Sequence, residues 1–440
     1  MVVVVSKSSR YPNRTTIEDR AMRRTVDHHR VVIVGAGVVG LCTALNCARR
    51  GMSVTIVERN AAQRDGCSFG NAGMVVPSHF IPLAAPGMVK QGLKWMFNPE
   101  SPFYIRPRFD WDLLKWGFRF TRAATESRAR AAATVLRDLG LLSLREYESL
   151  GIETGLHRDG LLMLCRHQQT LDEEAEVAEA AHALGIPAEV LDADATKRRD
   201  PTITMDVSGS VYFPLDGHLS PSRLMTTLAT ELARLKATFR YDSAVTGFAI
   251  EGNRLRAVQT STGDVPGDQF VICSGIWSSP MAYRLGLKLP MQAGKGYSLT
   301  LSEPRQLPTL CSICTEARLA VTPIGGQLRF AGTMELSGTD ESISASRVRG
   351  IVKSVGDYFP EFRPDDFDGV RPWSGLRPVS PDGLPYIGRP NRWDNLFVAT
   401  GHAMMGVSLA PATAKIVADL LAGQPSPIPS PLLSPDRYRW

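Results

Sequence analysis

An α/β fold is what this sequence predicts: a parallel sheet flanked by helices, joined to an α+β portion built on antiparallel strands. Residues 30–58 are the first observation behind it, because they read as strand, tight turn, helix and strand in close succession. The second is a set of alternating runs near residues 297–301, 319–322 and 328–333, followed by a helical pattern at 341–358. The third is length, since 440 residues are long for one compact core and point to two domains.

The first stretch opens with Val31, Val32, Ile33 and Val34, a β-branched run that fits a strand buried on both faces. It stops at Gly35. Gly35, Gly37 and Gly40 form G-x-G-x-x-G, in which the first glycine permits the turn, the second admits a pyrophosphate, and the third lets helix and strand pack closely. Val38 and Val39 open the helix, whose free amides and dipole suit phosphate. Glu58 ends a second apolar run at 54–57 and is placed to accept hydrogen bonds from both hydroxyls of an adenosine ribose, with Arg59 beside it. This is a Rossmann-like dinucleotide pattern, and on its own it leaves FAD and NAD open.

Composition narrows the partners. The formal net charge is +6, but residues 1–30 carry seven basic against three acidic side chains, so the remaining body is close to neutral and nucleic acid is not an expected partner. Residues 1–29 read as a flexible extension, and Met22 is an alternative start. The opening MVVVVS is too short for the apolar core of a signal peptide, so the expected location is cytoplasmic. No window approaches the roughly 20 apolar residues of a membrane span. Cys42, Cys47, Cys67, Cys165, Cys273, Cys311 and Cys314 are odd in number and scattered, which favours free thiols. Cys311 and Cys314 form one C-x-x-C, without the second pair or nearby histidine that a metal site needs, and no metal is expected.

Between Trp95 and Phe120, nine aromatic residues interleave with Arg106, Arg108, Lys115 and Arg119. Such a segment can stack on bases, lie on a membrane surface or pack a domain junction. Pro102 and Pro107 break any long helix and Asp110 and Asp112 dilute the charge, so packing is the favoured reading, with peripheral contact at the inner face of the membrane as the alternative. Residues 122–150 and 168–184 read as helices, with a strand at 161–165 between them. A loop, Pro221 and a helix follow to residue 235, then strands near 239–241, 244–250, 255–260 and 270–273. The last runs into Ser274, Gly275 and Trp277, a small-residue end of the kind that receives ligands in open sheets.

Ser68-Phe69-Gly70-Asn71-Ala72-Gly73-Met74, after the fingerprint, resembles the loop that lies along FAD in the D-amino acid oxidase and glycine oxidase superfamily. Near the other end stand Trp373-Ser374-Gly375-Leu376-Arg377-Pro378, Ser380-Pro381-Asp382-Gly383-Leu384-Pro385 and Gly401-His402-Ala403-Met404-Met405-Gly406. With Lys295-Gly296-Tyr297-Ser298-Leu299, they resemble bacterial FAD-dependent D-amino acid dehydrogenases over residues 30–421. The resemblance implies FAD as cofactor. It places Ser68, Asn71, Ala72, Gly73, Met74, Ser274, Gly275, Trp277 and Gly375 beside it, with Gly401, His402, Met404, Met405, Gly406 and Val407 around the flavin.

Within that resemblance, Arg377 binds the substrate carboxylate, a task suited to the two parallel bonds of a guanidinium. Tyr297 is the second expected catalytic residue, bonding substrate amine or carboxylate, and Arg329 is a weaker candidate for the carboxylate. His402 belongs to the flavin environment, and His79 is another candidate proton acceptor. The implied reaction is hydride transfer from Cα of a D-amino acid to flavin N5, giving an imino acid and then a 2-oxo acid. D-proline and hydroxy-D-proline are candidate substrates, and a quinone or electron carrier is the expected acceptor. The competing readings are a glycine or sarcosine-type oxidase using oxygen, a subunit of a larger complex, and an RNA-modifying flavoenzyme. The expected organisation is an FAD-binding domain of residues 30–110, 205–282 and 371–425, a discontinuous antiparallel substrate or cap domain of 111–204 and 283–370, and a tail at 426–440. Oligomeric state is not legible.

Overall fold

The computed structural model describes residues 29–95 and 100–438. The expected extension up to residue 28, Phe97 and the last two residues of the tail lie outside the described residues.

Arg30–Val34 is an inner strand of a six-stranded sheet, in the order Tyr386–Gly388, Leu396–Thr400, Gln269–Ile272, Arg30–Val34, Ser53–Val57, Thr238–Arg240. Every pairing is parallel except that between the first two. Alternation along the strand sends Val31 and Ile33 to one face and Val32 and Val34 to the other. The first face packs under the helices Val38–Arg49, Pro221–Arg234 and Gly406–Leu421, with Leu41, Leu45, Leu224, Leu228 and Val417 in one core. The second packs under the antiparallel strands Val245–Glu251 and Arg254–Thr260 and the helix Ser278–Arg284, through Leu255, Val258, Ala282 and Leu285. By length and composition Ala403–Leu421 could cross a membrane, but 72% of it is buried inside the protein, where its apolarity serves the core.

The second sheet has nine strands. Its main path runs Trp373–Val379, Gln292–Leu301, Gln327–Leu336, Leu319–Ile324, Cys311–Cys314, Leu161–Cys165, Gly209–Phe213, Glu189–Asp192, and Phe103–Ile105 pairs with Gln327–Leu336. Helix Ala345–Tyr358 covers one face, where Leu299, Phe330, Ile351, Val355 and Phe359 form a third core. Cys311 points into the first core and Cys314 into this one, so two thiols three residues apart on a strand cannot act as a pair.

Four elements cross the borders expected from sequence. Phe103–Ile105, Gly209–Phe213 and Trp373–Val379, expected in the dinucleotide-binding part, are strands of the nine-stranded sheet. Helix Glu126–Ser149, expected in the cap, packs on Gly406–Leu421, with Ser143 Oγ donating to Ser408 O at 2.5 Å and Tyr147 OH to Val407 O at 2.7 Å. Periodicity tells which face of an element is buried but not which partner buries it. The helix expected at 122–150 runs from Glu126 to Ser149, and it is preceded by a helix the sequence reading did not mark, Trp111–Ala123, capped by Asp110 accepting from the amides of Asp112 and Leu113. The tail is tied down through its described residues. Arg437 bonds both carboxylate oxygens of Asp382 at 2.8 and 2.9 Å and lies 3.7 Å over the Tyr386 ring.

Candidate active site

The fingerprint turn is built by steric necessity. Gly35 has φ +107°, and a Cβ there would come within 2.6 Å of the Cys273 carbonyl oxygen. At Gly40 a Cβ would collide with the Gly35 carbonyl, so helix and strand touch backbone to backbone. The N-cap Gly37 gives helix Val38–Arg49 no side-chain bond of its own and its first turn holds no acid, so beyond the Val38 amide its positive end is open to an anion. Ser68 Oγ accepts from the Val38 amide at 3.0 Å. Glu58 accepts from the amides of Ala36 at 2.9 Å and Asn60 at 3.0 Å, so its carboxylate is fixed at the strand end. The Arg59 guanidinium stacks 3.5 Å over the Trp277 ring.

These groups line one end of a cleft of about 500 Å³. From Glu58 and Arg59 it passes Gly35, Gly37, Val38 and Val39, then Ser274 and Gly275, and ends against His402, Gly406 and Val407. Ser68, Asn71, Trp277 and Gly375 also line it. Gly40, Ala72, Gly73, Met74, Gly401 and Met405 do not, and serve behind the wall, while Met404 is exposed. Gly73 and Gly401 take φ +80° and +82° where a Cβ would meet Leu219 and Tyr386. Met74 pairs with His218, while Ala72 and Met405 pack against the first core. The Met404 carbonyl accepts from Asn71 Nδ2 at 3.3 Å. Lining residues that the sequence did not single out for the site include Asn60, Arg64, Cys67, Ser243 and Glu341, all on loops, Glu341 because the helix expected from 341 begins only at Ala345. Arg64 was nearest to being legible, being close after Glu58, and its Nη2 donates to Ala36 O at 2.8 Å.

His402 ends the cleft, with Nε2 2.8 Å from Thr413 Oγ1, and burial drives its pKa down to about 3. It is therefore a neutral imidazole that ties the turn to the helix. His79 does not line the cleft. Its ring lies 3.2 Å from Ser78 Oγ, and burial, then the charge of Arg318, lowers it to about 4. Both rings are uncharged at neutral pH. Gly406–Leu421 begins at the cleft with neither a side-chain cap nor an acid in its first turn.

Arg377 does not itself line the cleft, but its strand Trp373–Val379 does, through Ser374, Gly375, Leu376 and Pro378. Gly294 pairs with Arg377, and a Cβ on Gly296 would collide with the guanidinium, so glycine is what lets it lie across the strand. Gly375, two residues away, leaves room for the Trp373 ring in the same manner. Arg377 Nη1 donates to Thr333 O at 2.5 Å, and Arg377 is in no ion pair among the described residues. Burial lowers its pKa from the usual arginine value, partly offset by Cys67, a cleft residue. Arg329 is committed elsewhere: Nη1 holds the carbonyls of Phe69 at 3.0 Å and Asn71 at 2.7 Å, clamping the small-residue loop. Tyr297 is a correction to the sequence reading. It is 1% exposed on the opposite face from Gly296 and Arg377, and its hydroxyl donates to Glu335 at 2.7 Å, away from the cleft.

A glycine cradle that any side chain would fill, an open helix start and a fixed acid at the second strand end fit an extended dinucleotide such as FAD. Comparison with known proteins agrees. A D-amino acid dehydrogenase of Rhizobium rhizogenes is 32% identical over 418 residues, covering 93% of this chain and all of that one. D-amino acid dehydrogenase 2 of Mesorhizobium japonicum is 33% identical, covering 90% and 97%. Among solved structures, glycine oxidase from Geobacillus kaustophilus superposes with a TM-score of 0.74 at 24% identity over 94% of this chain and all of that one. L-proline dehydrogenase from P. horikoshii gives 0.70 at 19% identity over 94% and 98%. These two share the fold. The sequence profile of the DAO family, described as FAD dependent oxidoreductase, matches residues 30–420, and the chain belongs to that family.

Proposed function

We propose that this oxidoreductase carries out the oxidative deamination of D-amino acids, giving an imino acid that water converts to a 2-oxo acid and ammonia. One observation carries the reading: a half-buried guanidinium, Arg377, on the strand whose Gly375, Leu376 and Pro378 line the cleft and close to the cleft residue Cys67, with a single backbone acceptor and no carboxylate partner among the described residues. Left so, it costs desolvation that a substrate carboxylate would offset. The names of the relatives support the D-amino acid class.

Bound in the cleft, FAD supplies the acceptor for the two electrons and the hydrogen removed from the substrate's Cα. The chain's own residues do the rest. Gly35, Gly37 and Gly40 admit the pyrophosphate to the helix start, and Glu58 takes the ribose hydroxyls. Arg377 fixes the carboxylate, which orients the Cα–H bond. The start of Gly406–Leu421 favours negative charge at the far end of the cleft. His402 stays neutral and adds no competing charge. In this reading the six-stranded part holds the cofactor and the nine-stranded part caps the substrate.

The electrons go on to a membrane quinone or a carrier. An exposed apolar stripe on helix Trp111–Ala123 favours an acceptor at a membrane surface: Trp111, Leu114 and Phe118 are 64%, 54% and 65% exposed, with Lys115 and Arg122 beside them. Anaerobic addition of a panel of D-amino acids, including D-proline and hydroxy-D-proline, should bleach the flavin absorbance of the purified protein. If no amino or imino acid bleaches it, the assignment is wrong. Reoxidation by a quinone analogue faster than by oxygen, with little peroxide, is the expected second result.

A further inference from the structure

On the face of the sheet opposite Arg377 the protein buries a charged cluster that the chemistry above does not use. Lys295 is 1% exposed, its Nζ donating to Ser342 O at 2.8 Å and lying 3.6 Å from Glu335 Oε1. Tyr297 donates to Glu335 Oε2 at 2.7 Å. Arg347, 4% exposed, feels the charges of Glu335 and Tyr297 and donates to Ser101 O at 2.8 Å. Packing alone would be served as well by apolar side chains, because burying such charges is expensive.

The cluster brackets an irregularity. Lys295 stands opposite Glu335 and Tyr297 opposite Gly332, so Thr333 and Met334 face the single residue Gly296 across a β-bulge. Thr333 has φ +65°, a conformation that β-branched residues avoid. Strain of this kind persists only where the surroundings over-determine it. Here Lys295 and Tyr297 flank the bulge on one strand, and Glu335 ties both to the other. The carbonyl that the bulge turns outward is the one that accepts from Arg377 Nη1.

We infer that Lys295, Tyr297 and Glu335 are positioning residues: they hold the Thr333 bulge, whose carbonyl takes one corner of the Arg377 guanidinium and turns the remaining donors toward the substrate carboxylate. This rests on the proposed role of Arg377, so the test separates the two. Glu335→Gln and Tyr297→Phe are each made in the natural background and with Arg377→Lys, which keeps the charge but loses the planar fork. Steady-state kinetics, FAD content and thermal midpoint are measured on the holoenzymes. Glu335→Gln should raise KM about fivefold or more with a smaller change in kcat, Tyr297→Phe should shift it the same way by less, and both effects should vanish beside Arg377→Lys. An equal KM change in both backgrounds, or a loss of FAD and thermal midpoint with KM unmoved, overturns the inference. Should Glu335→Gln fail to fold, Tyr297→Phe decides alone. An unchanged KM in Arg377→Lys itself removes the carboxylate role instead.

Discussion

Arg377 and Arg329 lie on adjoining parts of one sheet, and what separates them is how many of their donors the protein already uses. Arg329 bonds two loop carbonyls and Thr300, whereas Arg377 bonds one carbonyl. Arg377→Ala should therefore keep its FAD and lose roughly 2–5 kcal/mol of substrate binding, the usual cost of breaking a buried hydrogen-bonded charge pair. In kcat/KM this is about 30-fold or more, and normal turnover would remove Arg377 from the site. Arg329→Met should do the reverse, releasing the 69–71 loop and lowering FAD retention, read from the flavin-to-protein absorbance ratio, with little change in KM for the enzyme that stays loaded. The sequence singled out Arg377 because its motif resembles that of a known family. Tyr297 was misread because a one-residue uncertainty in strand parity exchanges the two faces of a sheet, and no pattern around it fixed the parity.

Helix Trp111–Ala123 is apolar on two sides. Leu113, Trp116, Phe120 and Ala123 face inward, with Trp116 Nε1 donating to Val379 O at 2.9 Å and its ring stacked on Phe120. Trp111, Leu114 and Phe118 recur at helical spacing on the outer side, next to Lys115 and Arg122. Composition showed the aromatic and basic run, but one sequence window cannot say which of two apolar stripes a core will take. The packing reading thus describes the inner stripe alone. The outer one gives an element-scale prediction: the protein should co-sediment with vesicles rich in anionic lipid, and less so at high salt. Replacing Trp111, Leu114 and Phe118 by serine should weaken that binding about tenfold or more while oxidation with a soluble acceptor is unchanged. No vesicle binding by the parent protein would dismiss the surface.

At the scale of the whole molecule, the two sheets meet over buried titratable groups, and these set how stability answers to pH. The parallel sheet and its cofactor turn were legible because a β-branched run and a glycine triplet leave few alternatives. The seam was not, since it joins residues far apart in sequence. Asp216 is fully buried there, accepting from Ser78 N at 3.1 Å and Ser78 Oγ at 2.5 Å, with Cys311 and His79 among its neighbourhood, and burial pushes it up to about 7. Raised above its unfolded value, it favours the folded state fully at acid pH, and that contribution is lost as pH climbs toward 7. Burial lowers His79 and His218 to about 4 and His402 to about 3, so their contributions are complete above the unfolded histidine value and are lost as pH falls through those values. Between about pH 4 and 6.5 three imidazoles oppose one carboxyl, and among these groups the imidazoles prevail, so stability rises with pH. Asp216→Asn removes the opposing group. Thermal midpoints across pH 4–8 should climb more steeply in that variant and end higher than the parent at pH 8, whereas parallel curves would show that Asp216 is already ionised in the folded protein below pH 4.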